Sequence, residues 1–136
     1  MRLVHYSVQS NHLHLLVEAP DRRSLSRGMQ GLGVRLAKAV NRVLGRSGTV
    51  FAERYHASRL RTALDVWRVL HYVLNNIRRH AGPVFAPNWL DPCSSAPYFD
   101  GWHGRAPPGQ RDEATVPARS ELLSTAWRAY GLLEVR

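Results

Sequence analysis

His12 and His14 are separated by one residue within the aliphatic run HLHLLVE. In an extended chain successive side chains alternate, so both imidazoles share one face about 6–7 Å apart, with Leu13 and Leu15 on the other. Two imidazoles converging on one point form a metal-ligand pair, although the spacing equally fits a surface or structural pair. Further along, Tyr72 and Asn76 stand four residues apart on one side of a predicted helix, off its apolar stripe. A tyrosine there fits a core margin and an asparagine a solvated face. Asparagine is nevertheless mildly unfavourable inside a helix, and Arg68 and Arg79 accompany the pair on the polar face. An amide oxygen can complete a metal site begun by two histidines. A phenol beside a metal-bound phosphate can attack phosphorus.

The elements that must position these groups follow from pattern. Residues 2–9 and 12–18 read as strands, and Ser10-Asn11 between them as a tight turn, which predicts a β-hairpin. A helix is expected from a cap at Ser24 to about Leu44, with Gly45 just beyond it. Its apolar stripe runs through Leu25, Met29, Leu32, Leu36 and Val40, and Arg27, Arg35, Lys38 and Arg42 occupy the opposite face. Gly28, Gly31 and Gly33 weaken that helix by about 1 kcal/mol each relative to alanine, which suggests a close approach to its backbone. Residues 49–53 and 56–61 read as short extended pieces. Thr62 and Asp65 form a capping pair opening a second helix to about His80, with a stop at Gly82-Pro83. Residues 83–117 hold all but one of the eight prolines and read as irregular. Helical spacing returns over 118–132.

The 136 residues carry 19 Lys and Arg against 10 Asp and Glu, a formal charge of +9. All but Lys38 of the basic residues are arginine. Codon bias is one reading of that ratio, but it does not explain the net charge, which points to an anionic partner, most often nucleic acid. The single cysteine, Cys93, excludes a disulfide framework and a four-cysteine zinc site. No apolar run nears the ~20 residues of a membrane helix and no signal-peptide pattern opens the chain, so a cytoplasmic protein with no membrane partner is expected.

Two runs carry a family resemblance. NHLHLLVE (residues 11–18) resembles the His-hydrophobic-His motif of HUH single-strand endonucleases, and HYVLNNIRRH (residues 71–80) resembles the nucleophile helix of their single-tyrosine transposases. The chain is similar to REP-associated tyrosine transposases and the related IS200-like insertion-sequence transposases over about residues 2–102. SLSRGMQGL and RSGTVFAERYH, between the two motifs, fit the same order. Ile77 stands where relatives often have proline.

The resemblance implies an α+β, ferredoxin-like antiparallel sheet with packed helices. That fold normally opens with a further strand and helix, so the expectation is an N-terminally truncated version whose open strand edge invites self-association. It implies His12, His14 and Asn76 as ligands of a divalent metal, Mg²⁺ or Mn²⁺, and Tyr72 as nucleophile. The reaction would be cleavage of structured single-stranded or hairpin DNA through a 5′-phosphotyrosine during DNA transposition, in a nucleoid-associated protein. Arg27, Arg35, Lys38, Arg42, Arg54, Arg59, Arg61, Arg68, Arg78 and Arg79 are the candidate phosphate contacts. The alternative is an inactive or domesticated nucleic-acid-binding relic. A transposase-like domain at 1–102, an irregular linker at 103–117 and a helical appendage at 118–136 complete the expected organisation.

Overall fold

The computed structural model describes residues 1–81 and 85–136, the side chains of 79–81 excepted. Two compact units emerge, one of Met1 with Ala19–Arg59, the other of Arg2–Glu18 with Leu60–Arg136. The expected stop at Gly82-Pro83 and the side chain of Arg79 lie outside the described residues.

In the second unit, β1 (Arg2–Val8) and β2 (Leu13–Glu18) form the expected antiparallel hairpin, with Tyr6 opposite Leu15 and Ser7 opposite His14. The register shifts between Leu3 and His5, so Val4 is an extra residue, and it is only 6% exposed. Leu16, two residues beyond His14 and hence on the same face, is buried too. The histidines therefore share the face of the hairpin that meets the core. The outer edge of β1 is covered by later chain: Val8 N donates to Cys93 O at 2.9 Å, Ser95 N to Tyr6 O at 3.0 Å and Val116 N to Leu3 O at 2.9 Å.

The fold is α+β, and its sheet has two strands among the described residues instead of the four of a full ferredoxin-like sheet. Residues 49–53 and 56–61 join no strand, and 51–59 are exposed throughout. With neither a ladder partner nor an apolar surface to cover, nothing holds them in a sheet.

The helix α1 (Arg22–Val43) belongs to the first unit. Its cap is Asp21, whose Oδ1 accepts from Ser24 N at 2.6 Å, and not Ser24 as the sequence suggested. A carboxylate is the stronger acceptor for the first-turn N–H groups, and it brings Arg22 and Arg23 into the helix. Met1 explains Gly28, because a Cβ there would lie 2.4 Å from Met1 Cβ.

The helix α2 (Ala63–Leu74) opens on a capping box in which Thr62 Oγ1 accepts from Asp65 N and Asp65 Oδ2 accepts from Thr62 N. It does not run uninterrupted to His80. Asn75 departs from helical geometry at φ −106° and ψ 11°, and α3 (Asn76–Ala81) begins after it. The break has a tertiary cause. Asn75 Nδ2 donates to Glu134 O at 3.1 Å and to His71 O at 3.2 Å, while Oδ1 accepts from Arg136 N at 2.9 Å.

Residues 118–132 form a short α4 (Glu121–Ser124) and a 3₁₀ turn at Ala126–Tyr130 in place of one helix. They are not peripheral as an appendage would be. Leu123, Trp127 and Leu133 join Val4, Leu16, Val66, Leu70 and Trp102 in one core cluster. Glu18 ties this segment to β2 by accepting from Arg119 N, Ser120 N and Ser120 Oγ. Partial burial would raise the Glu18 pKa, but these bonds and Arg2 hold the carboxyl below its ordinary value. Among the described residues no helix is long and apolar enough to cross a membrane.

Candidate active site

The alternation of β2 places His12 and His14 side by side at its entrance. Their rings meet edge to face with centroids 4.7 Å apart, and the two Nε2 atoms lie 3.0 Å apart. His12 Nδ1 is 2.7 Å from Asn11 Oδ1. With that oxygen as acceptor, Nδ1 carries the ring proton and Nε2 is the basic nitrogen turned toward His14. The sequence marks Asn11 as a turn residue and as the first of the NHLHLLVE run, with no role toward His12. Its signal was an amide immediately before a candidate ligand, where it can fix the tautomer.

The separation suits a divalent ion. Two ligands about 2.1 Å from one metal and at right angles stand about 3.0 Å apart. Among the described residues no three His, Cys, Asp or Glu side chains could hold a metal by themselves. Any third protein ligand beside the two imidazoles would therefore be of another type.

Asn76 meets that requirement chemically. It is 1% exposed, and neither Oδ1 nor Nδ2 of its amide has a hydrogen-bond partner. An unsatisfied buried amide costs about 1–3 kcal/mol, a cost that a ligand to its oxygen would offset. Both observations fit a resident divalent cation, with His12, His14 and Asn76 as the donors that would hold it.

Tyr72 reaches the site from α2. Its ring stands edge-on to His14, with centroids 5.0 Å apart at 81°. The residue is 37% exposed, so its ring packs on the imidazole on one side and meets solvent elsewhere. Hence His12, His14 and Tyr72 form one continuous chain of ring contacts, with Asn76 buried four residues beyond Tyr72.

The basic residues divide by unit. On α1, Arg27, Arg35, Lys38 and Arg42 are exposed, and no Asp or Glu occurs between Asp21 and Glu53. Arg54 and Arg59 are exposed in the same unit. In the second unit Arg61 and Arg68 are exposed, whereas Arg78 bonds to the Ala86 and Trp89 carbonyls. None of these side chains enters an ion pair among the described residues, where the pairs are Arg2–Glu18, His103–Glu134 and Arg128–Asp100.

A family model described as Transposase IS200 like matches residues 1–76, a span that contains His12, His14, Tyr72 and Asn76. No curated protein and no solved structure matches the chain.

Proposed function

The chain belongs to the IS200-like transposase family, and from that premise we propose that it is a metal-dependent transesterase acting on structured single-stranded DNA. The observation that carries this reading is the chain of ring contacts joining His12, His14 and Tyr72, with a buried amide that has no partner four residues beyond Tyr72 in the sequence. Tyr72 Oη attacks the scissile phosphorus, its proton passing to water. The P–O3′ bond breaks, and the released 3′-oxygen takes up a proton from water. The product is a 5′-phosphotyrosine, which exchanges one phosphodiester bond for another, so a 3′-hydroxyl can reverse the step without nucleotide hydrolysis. The contact with His14 limits the phenol to a narrow range of orientations, which lowers the entropy lost on attack. Asn11 holds the His12 ring in the tautomer that presents Nε2. A bound Mg²⁺ or Mn²⁺ would supply Lewis acidity at the phosphate and offset charge on the leaving oxygen. The exposed arginines contribute sequence-independent attraction for the phosphate backbone.

A second reading, binding without cleavage, draws on the two-stranded sheet. One experiment separates them. Incubation with single-stranded hairpin DNA and Mn²⁺ yields a denaturant-resistant protein–DNA adduct mapping to Tyr72 if the transesterase reading is correct. Retention of the DNA with no adduct under any divalent metal favours the relic.

A further inference from the structure

Beyond the family-matched region, Phe85 and Trp89 stack on one another with ring centroids 4.1 Å apart and planes 10° from parallel. Both are only partly buried, and neither belongs to the core cluster or the hydrophobic residues packed against it. The loop beneath them is held firmly. Trp89 N donates to Ala86 O at 3.0 Å, closing a turn. The Arg78 guanidinium donates to Trp89 O at 2.8 Å and to Ala86 O, and that of Arg105 donates to Asn88 O. Carbonyls accept these bonds without neutralising the donors. Neither arginine is ion-paired among the described residues, so two positive charges remain beside two aromatic rings.

A hollow of about 230 Å³ adjoins this loop, lined by Asn88, His103, Gly104, Arg105, Glu134 and Val135. Pockets for drug-sized ligands measure about 300–1,000 Å³, so this one suits a single base or phosphate group. Its one carboxylate, Glu134, is engaged by His103 Nδ1 at 3.1 Å.

Resting on the single-stranded DNA reading above, we propose that Phe85 and Trp89 form a stacking platform for an unpaired base, with Arg78 and Arg105 attracting the flanking phosphates. Stacked rings present flat outer faces, and only a base released from pairing exposes a face of its own to meet them. Fixing the loop backbone beforehand reduces the ordering cost of binding. Arg78 lies two residues beyond Asn76 on α3, which ties the platform to the helix that begins with the candidate metal ligand.

The test uses the full chain, fluorescein-labelled oligothymidine and its 5-iodouracil analogue. Trp89→Leu should weaken binding about fivefold to a hundredfold, Phe85→Leu should weaken it in the same direction, and Trp89→Phe should bind near the original affinity. Photocrosslinking of the unaltered protein should map to Phe85 or Trp89, which decides the matter even if a variant fails to fold. Unchanged affinity in Trp89→Leu, or crosslinks confined to other segments, overturns the platform while leaving the DNA reading intact. No binding of single strands by the unaltered protein overturns both.

Discussion

The ring of Tyr72 stands edge-on to that of His14, 5.0 Å between centroids, and so joins α2 to the strand that carries His14 and directly follows His12. The contact needs the aromatic ring but not its hydroxyl. Tyr72→Phe should therefore fold and bind single-stranded DNA as the unaltered protein does, while forming no covalent adduct. Gel mobility after denaturation measures the second property, and an adduct persisting in this variant would remove Tyr72 from the reaction.

His12 and His14, with Nε2 atoms 3.0 Å apart, should bind Mn²⁺ as a pair. Either His→Ala substitution should abolish calorimetrically measured Mn²⁺ binding and cleavage together, and EDTA should reproduce the loss in the unaltered protein. Asn11→Ala removes only the partner of His12 Nδ1. Its expected effect is a 10- to 100-fold weaker metal affinity, with cleavage restored by excess Mn²⁺.

Asn76 separates stability from function. Its buried amide has no partner, so Asn76→Leu removes two unsatisfied polar atoms and replaces them with an apolar group of similar size. The metal-free variant should be as stable as the original or more so, by up to about 1–3 kcal/mol, in urea titrations. Cleavage should fall all the same. Strong destabilisation of the metal-free protein would show that the amide has a structural role instead.

His5 makes stability depend on pH. Its Nδ1 is 3.2 Å from Ser95 Oγ and its ring stands edge-on to Phe99. Burial lowers its pKa from 6.5 to about 4, against the upward pull of Asp100 and Asp112. The unfolded chain therefore takes up this proton at higher pH than the folded one. The contribution is complete above pH 6.5 and is lost as pH falls toward 4, by roughly 3 kcal/mol in all. His5→Gln should flatten the melting temperature across that window. Glu18, whose pKa is depressed, adds a separate loss as pH falls through the carboxylate range.

Gly101 and Trp127 test whether the last residues belong to the core. A Cβ at Gly101 would lie 2.4 Å from Phe99 Cζ and from Trp127 Cη2. Gly101→Ala should destabilise by about 1–3 kcal/mol through overpacking. Trp127, 1% exposed, should cost about 3–5 kcal/mol when replaced by alanine. Denaturant midpoints check both, and near-neutral effects would mean that the segment is dispensable.

Much of the site was legible because it rests on local rules. The alternation of residues 12–18 placed His12 and His14 on one face, and the Thr62–Asp65 box marked the start of the helix carrying Tyr72. Hydrogen bonds within one turn and side-chain periods of two and 3.6 involve only near neighbours, so the amino-acid order contains them. The sequence also offered Asn76, four residues beyond Tyr72, as a candidate third ligand, but gave no sign of its burial.

Tertiary contacts decided the rest. Asn75 ends α2 because its amide meets Glu134 and Arg136, 59 and 61 residues away, and no helical period encodes those partners. The same distance hides the role of residues 118–136, whose helical spacing is real but short. Trp127 and Leu133 find their places only against α2 and the hairpin, through burial that depends on the folded chain as a whole. The burial of the Asn76 amide belongs to this second class. Its chemistry is written in one residue, and its isolation from hydrogen-bond partners is created only when the surrounding segments pack.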